Sequence, residues 1–160
     1  MAESAAEVVM RPIEPRDAQQ VSLLSEQLGY QRAPEEVQAW IEQLRPDRGN
    51  QAAFVACLGS EIAGWIEVSI EHRLQSPRYA LIGGLVVKDG LRGRGIGRRL
   101  CEKAEAWSWE QNVSRLRVTS GSTRPEAHRF YLRDGYRAVK TSLVFEKNAP
   151  ESSSRSRRSP

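Results

Sequence analysis

Residues 79–111 read YALIGGLVVKDGLRGRGIGRRLCEKAEAWSWEQ, and three successive patterns in this stretch decide how the rest of the chain is arranged. An apolar, β-branched run comes first (Leu81, Ile82, Leu85, Val86, Val87) and predicts a buried strand. Lys88-Asp89-Gly90 predicts a turn, and Arg92-Gly93-Arg94-Gly95-Ile96-Gly97 sets three alternating glycines among arginines. Beyond them Ile96, Leu100, Ala104 and Trp107 recur at helical spacing and predict one apolar helix face. The chain therefore passes from a strand, through a glycine-rich turn, into a helix N-terminus.

That order has a physical use. A helix start leaves backbone N–H groups without partners and carries the positive end of the macrodipole. Glycines let an anion approach those groups closely, and Arg92, Arg94, Arg98 and Arg99 add charge suited to phosphate oxygens. A solvated basic turn would account for the charge. It would not account for three glycines, each weakening a helix start by roughly 1 kcal/mol. The stretch reads as a pyrophosphate cradle. It is not a nucleotide P-loop, because no Gly-Lys-Ser/Thr closes it. Nor is it a dinucleotide fingerprint: the third glycine comes one residue early, and Val113 stands where an acidic residue would bind ribose.

What remains is R-x-x-G-x-G (Arg92, Gly95, Gly97) after an apolar strand, which resembles the acetyl-CoA-binding motif of the GNAT N-acetyltransferase superfamily. Downstream, Ala127-His128-Arg129-Phe130-Tyr131 followed by Gly135-Tyr136 is similar to that family's A-x-x-F-Y-x-x-x-G-[FY]. The resemblance covers residues 10–146. It implies an α/β (α+β) GNAT fold, a mixed twisted sheet of six to seven strands flanked by about four helices. It also implies acetyl-CoA as cosubstrate with no metal, a small-molecule amine as acceptor, and a homodimer as one assembly the family adopts. Cofactor contacts carried over by the resemblance are Leu85, Val86 and Val87 along the pantetheine arm, then Arg92, Gly93, Arg94, Gly95, Ile96, Gly97 and Arg98 around the pyrophosphate.

The remaining sequence fits one domain, residues 1–148, with a disordered basic tail at 149–160. The 160 residues are 39% hydrophobic and 28% charged, a globular composition in which no apolar run reaches membrane-spanning length. The N-terminus lacks the layout of a signal peptide, so a cytoplasmic protein is expected, with Cys57 and Cys101 as small core residues. The formal net charge of +4 suits an anionic cofactor, and no recognition motif supports nucleic acid as a partner. In chain order the patterns predict a frayed start, a strand at 8–13 with Pro12 near its end, and a helix opened by Pro15 and Asp17 and stopped at Gly29. A second helix runs from Pro34 to a stop at Pro46. A hairpin follows, with strands 52–58 and 61–71 around Gly59-Ser60, and then a polar connection at 72–78. Gly83-Gly84 predicts a bulge or a close approach of something to the backbone, with room for a neighbouring side chain as the alternative. After the helix come a strand at 116–119, a helix at 124–134 capped by Gly135, and a strand or hairpin pair at 136–146.

Acyl transfer from a thioester to an amine needs a neutral amine, a polarised carbonyl and a proton for the departing thiolate. The resemblance implies Tyr131 as the acid, a phenol of reference pKa near ~10 facing a thiolate near ~8.5. An amine of pKa near ~10.4 needs a base. Glu71 is the candidate, with Glu67 on the same strand face and His72 at the strand end as alternatives. The family's usual glutamate on the next strand is missing, which leaves a water relay open. Glu35, Glu36, Glu42, Glu71 and Asp134 predict an acidic rim suited to a polyamine or aminoglycoside, and the third strand with its glycine-bearing neighbour resembles the aminoglycoside 6'-N-acetyltransferase branch. Protein lysine or N-terminal acetylation and a non-catalytic acyl-CoA-binding module are the alternative functions.

Overall fold

Five strands make one sheet in the order β1 (Val8–Pro12), β2 (Gln51–Leu58), β3 (Glu61–Arg73), β4 (Ser76–Val87) and β5 (Leu116–Val118). The structure, a computed structural model, describes residues 7–44 and 49–151, which fall into two compact units, 7–119 and 120–151. The tail beyond 151, residues 1–6 of the frayed start expected at 1–7, and the helix stop at Pro46 lie outside the described residues.

The first three strand pairings are antiparallel, and β4 pairs with β5 in parallel from Ala80↔Leu116 to Ile82↔Val118. A parallel neighbour needs a crossover, and helix α3 (Ile96–Glu110) supplies it. Alternation along β3 assigns the two sheet faces. Ile66 and Val68 are fully buried on the face of Gly64, where a Cβ would meet Leu100 and Ile96 of α3 at 3.1 and 3.5 Å. The opposite face takes helices α1 (Ala18–Ser25) and α2 (Pro34–Glu42). Val21, Leu24, Val37 and Ile41 pack there with Val55, Cys57, Ile62 and Val86. Trp65 joins this face, and so, by the period of two, do Glu67, Ser69 and Glu71.

The chain reaches α1 through a single 3-10 turn at Pro15–Asp17, fixed by an ion pair in which Arg11 Nη1 and Nη2 each donate to an Asp17 carboxylate oxygen at 2.7 Å. The Glu14 N–H donates to the same carboxylate at 2.8 Å. Burial by itself would push the Asp17 carboxyl up, but these bonds outweigh it and hold the group below its ordinary value.

The unit at 120–151 contains helix α4 (Pro125–Arg133), ended by Gly135 at φ +91°. Two expectations are corrected. No strand forms at 136–146, and among the described residues the sheet has five strands rather than six or seven. The segment reads as a strand locally, but among the described residues its own unit offers no strand to receive its backbone groups, and Leu143, Val144 and Phe145 are 80–88% exposed. The polar connection predicted at 72–78 is instead a two-residue turn, with Arg73 of β3 opposite Ser76 of β4.

Candidate active site

β4 carries two distinct devices in succession. The first is a bulge: Glu67 pairs with Gly84 and Val68 with Ile82, so Gly83 is an extra residue in the strand. A Cβ at Gly83 would lie 3.2–3.5 Å from the Glu67 carboxylate, and one at Gly84 would sit 2.8 Å from the Trp65 ring. A bulge and room for a neighbouring side chain thus occur together at the glycine pair. The second device is a change of neighbour. β5 accompanies β4 only as far as Ile82, which leaves the β5 side of Gly84–Val87 without a strand within the first unit. Lys88 N–H bonds to Ala63 O of β3, so by antiparallel alternation Val86 also turns its backbone to β3, while Leu85 and Val87 turn theirs away. The Val87 carbonyl accepts from Gln27 Nε2 at 3.0 Å, and Gln27 Oε1 accepts from Asp89 N–H at 3.0 Å.

The turn that follows holds Gly90, Gly93 and Gly95 at φ of +86°, +81° and +77°, a region glycine enters without steric cost. Nothing lies within 4 Å of where a Cβ would be at any of the three, so backbone conformation, not crowding, demands glycine there. Gly95 caps α3 with no side-chain bond, and the first helical bond runs from Arg99 N–H to Gly95 O at 3.1 Å. The N–H groups of Ile96, Gly97 and Arg98 thus open the helix toward the turn. Arg92 is ion-paired with Asp89 at 3.1 Å and Arg98 with Glu102 at 3.4 Å. Arg99, grouped with the cradle arginines by sequence, donates to Val8 O of β1 at 2.9 Å.

On the α1/α2 face of the sheet, the candidate bases separate. Glu71 accepts from Ser69 Oγ at 3.1 Å and lies 3.7 Å from Arg73 Nη2. His72 is exposed. Glu67 sits between Ala53 of β2 and Gly84 of β4, and burial, partly opposed by the charge of Arg32, pushes its carboxyl up. Nearby, three guanidinium groups, Arg73, Arg115 and Arg117, lie 5.0–5.6 Å from the centroid of the buried Tyr79 ring, and Arg117 Nε is buried without a hydrogen-bond partner. The sequence reading missed this arginine collar, because its members come from two separate segments, Arg73 at the end of β3 and Arg115 and Arg117 at β5, that meet on Tyr79 of a third. Of the predicted acidic rim, Glu36 is paired with Arg32 at 3.6 Å and Glu42 accepts from Gln38 at 3.1 Å. Two open clefts of about 490 and 510 Å³ lie elsewhere, one along α1 and residues 31–34, the other between β1 and α3. Neither is lined by Glu67 or by the glycine turn.

In the second unit, Tyr131 is half-buried on α4, edge-on to Phe130 at 5.2 Å and to Tyr136 at 5.6 Å. His128 is bonded through Nε2 to Gly121 O at 2.8 Å and ties the turn before α4. Among the described residues no group of His, Cys, Asp and Glu is arranged to hold a metal ion. No helix there is long and apolar enough to cross a membrane.

The sequence profile of the Acetyltransferase (GNAT) family matches residues 18–136, from the first residue of α1 to Tyr136. The chain belongs to this family. A stretch of 84 residues is 31% identical to an aminoalkylphosphonate N-acetyltransferase of Salmonella typhimurium; it makes up 52% of this chain and 54% of the relative, so the chain spans about half the length of that curated protein. A crystal structure described as a transcriptional regulator from Bacillus halodurans C-125 is 26% identical and superposes with a TM-score of 0.77 over 88% of this chain and 100% of the other. The aminoglycoside N-acetyltransferase AAC(6')-Iy in complex with CoA superposes with a TM-score of 0.81 over 93% of this chain and 100% of the other, and at 15% identity this shows a shared GNAT fold.

Proposed function

We propose that this GNAT chain transfers the acetyl group of acetyl-CoA to the primary amine of a small molecule, by direct attack of the amine on the thioester. One observation carries the reading: the run from the outward-turned backbone of Leu85, through left-handed glycines with open space above them, to the N-terminus of α3 without a side-chain cap. In this reading the N–H groups of Ile96, Gly97 and Arg98 receive the pyrophosphate, with Arg92, Arg94 and Arg98 supplying charge. Gly93 and Gly95 hold the turn open. The backbone of Leu85 and the N–H of Val87 pair with the pantetheine arm, the Val87 carbonyl being held by Gln27. Val86 contributes from the core, where it anchors this part of the strand. Tyr131 protonates the departing sulfur, and the cytoplasm is the proposed location.

A second reading concerns the acceptor. The arginine collar around Tyr79 favours an amine that also bears an acidic group, the class named for the Salmonella relative, over a polyamine or aminoglycoside. The test begins with calorimetric titration of acetyl-CoA into the wild type and an Arg92→Ala, Gly95→Glu variant. Thiol release is then followed with an aminoalkylphosphonate, a polyamine and an aminoglycoside. Binding that the variant abolishes, with turnover lost in Tyr131→Phe while acetyl-CoA binding persists, is the expected result. Absence of binding by the wild type refutes the cradle. Turnover of the aminoglycoside in preference to the phosphonate refutes the second reading.

A further inference from the structure

We propose that Glu67, seated against the Gly83 bulge, is the general base that takes the ammonium proton of the acceptor. The assignment rests on the acetyltransferase reading above and names the residue that the family's usual strand position does not supply here. Three geometric observations converge on it. The cross-strand neighbours of Glu67 are Ala53 and Gly84, both small, so the sheet is low on either side of the carboxylate. Gly83 carries no side chain to stand over it: a Cβ there would come within 3.2 Å of Oε1 and 3.5 Å of Oε2. On the same face the indole Nε1 of Trp65 is buried with no hydrogen-bond partner, a donor that a bound molecule would satisfy.

The charged surroundings fit the role. Arg32, from the α1–α2 connection, is a cation whose field reaches Glu67; on β3 itself Glu71 lies four residues along and is engaged by Ser69 and Arg73. The facing residues of β2 and β4, Ala53, Gly83 and Gly84, carry no charge. Burial makes the Glu67 carboxylate a stronger base than an exposed one, which narrows the gap to an alkylammonium. In the step, the ammonium gives one proton to Glu67, which passes it to water. The neutral nitrogen then forms the C–N bond as the C–S bond breaks, and the second nitrogen proton offsets the one delivered to the sulfur. The products are the N-acetyl amine, free thiol and one released proton.

The experiment measures the pH dependence of kcat/KM for wild type, Glu67→Gln, Glu67→Asp and Arg32→Ala, with acetyl-CoA titration and a melting curve on each. Glu67→Gln should lower kcat by about 10²–10⁴-fold with acetyl-CoA affinity unchanged, and Glu67→Asp should recover part of the loss. The wild-type acid limb, lying above the ordinary glutamate range, should vanish in Glu67→Gln and move to higher pH in Arg32→Ala. Equal turnover and the same acid limb in wild type and Glu67→Gln overturn the base assignment and leave the acetyltransferase reading standing. A wild type that binds acetyl-CoA yet acetylates no amine overturns both.

Discussion

Replacing Gly93 and Gly95 together by alanine separates backbone conformation from crowding in the proposed cradle. Both residues sit at φ near +80° with nothing within 4 Å of a new Cβ, so the substitution introduces no clash and acts through the left-handed conformation alone. That conformation costs an alanine roughly 1 kcal/mol at the low end, or about 2 kcal/mol for the pair. The cost has two places to surface. If the turn keeps its shape in the free protein, the strain lowers the melting temperature. Alanine also restricts the unfolded chain, which offsets about half of the penalty. The remaining ~1 kcal/mol corresponds to a drop of about 2–4 °C for a domain of this size. If the free turn relaxes, the same strain is met on binding, and the acetyl-CoA dissociation constant rises by up to about 30-fold. Gly59→Ala is the internal control, since Gly59 is also left-handed at φ +63° and also open, but lies in the β2–β3 turn. It should lower the melting temperature and leave the affinity alone. Calorimetric titration and differential scanning on the three proteins decide the matter. A double variant unchanged in both measurements, or a Gly59→Ala protein that loses affinity, would refute the reasoning.

Further expectations follow from other contacts. Arg11→Ala leaves the buried Asp17 carboxylate with the Glu14 N–H as its remaining named partner and should destabilise the fold by about 3 kcal/mol at neutral pH. Because the Asp17 carboxyl is held below its ordinary value, its contribution is complete above the unfolded value near ~3.9 and fades as pH falls through the lower folded one; denaturant titrations of wild type and variant should therefore converge in acid. Gly64→Ala drives a Cβ to 2.7 Å from Val86 O and 3.1 Å from Leu100, so stability should fall by about 1–3 kcal/mol; an unchanged melting temperature would show that α3 does not pack this closely. Glu67→Gln should be more stable than wild type at pH 7. Burial raises the Glu67 carboxyl, so the wild type loses stability as pH climbs from the unfolded value near ~4.3 through the folded one, and the advantage of the variant should disappear below about pH 4.

The elements that the sequence made legible are those whose cause is local. Left-handed backbone at alternating positions needs glycine, so the turn before α3 can be read directly from its spacing, as can the β2–β3 turn at Gly59. Pro12 ends an edge strand and Pro34 opens α2, both because a missing N–H is harmless there. Where pairing decides the outcome, local pattern fails in both directions. Leu74-Gln75 carries no glycine or asparagine, yet Arg73 and Ser76 pair across it because the long β3–β4 ladder imposes the turn. Residues 136–146 have the apolar content of a strand, but strand structure is a property of two segments, and the described residues of their own unit provide one.

The candidate site shows the same division more sharply. A period of two places Glu67 and Glu71 on one face and cannot rank them, because what separates the two is the identity of their partners across the ladder: Ala53 and Gly84 for Glu67, Tyr79 for Glu71. That register depends in turn on the extra residue at Gly83. Without the bulge, every β4 residue before it would shift by one place against β3 and turn to the other face. Tyr79, now on the Glu71 side within reach of Arg73, Arg115 and Arg117, would then exchange faces with Ala80, which is now fully buried. Gly83 therefore does more than clear space above one carboxylate. It keeps two halves of β4 in different phases, one presenting Leu85 outward toward the proposed cofactor arm and the other presenting Tyr79 to the arginines. The absence of a carboxylate on β4 accords with this arrangement: a Cβ at the bulge would crowd the Glu67 carboxylate at 3.2–3.5 Å, and at this point of the sheet the carboxylate is carried by β3.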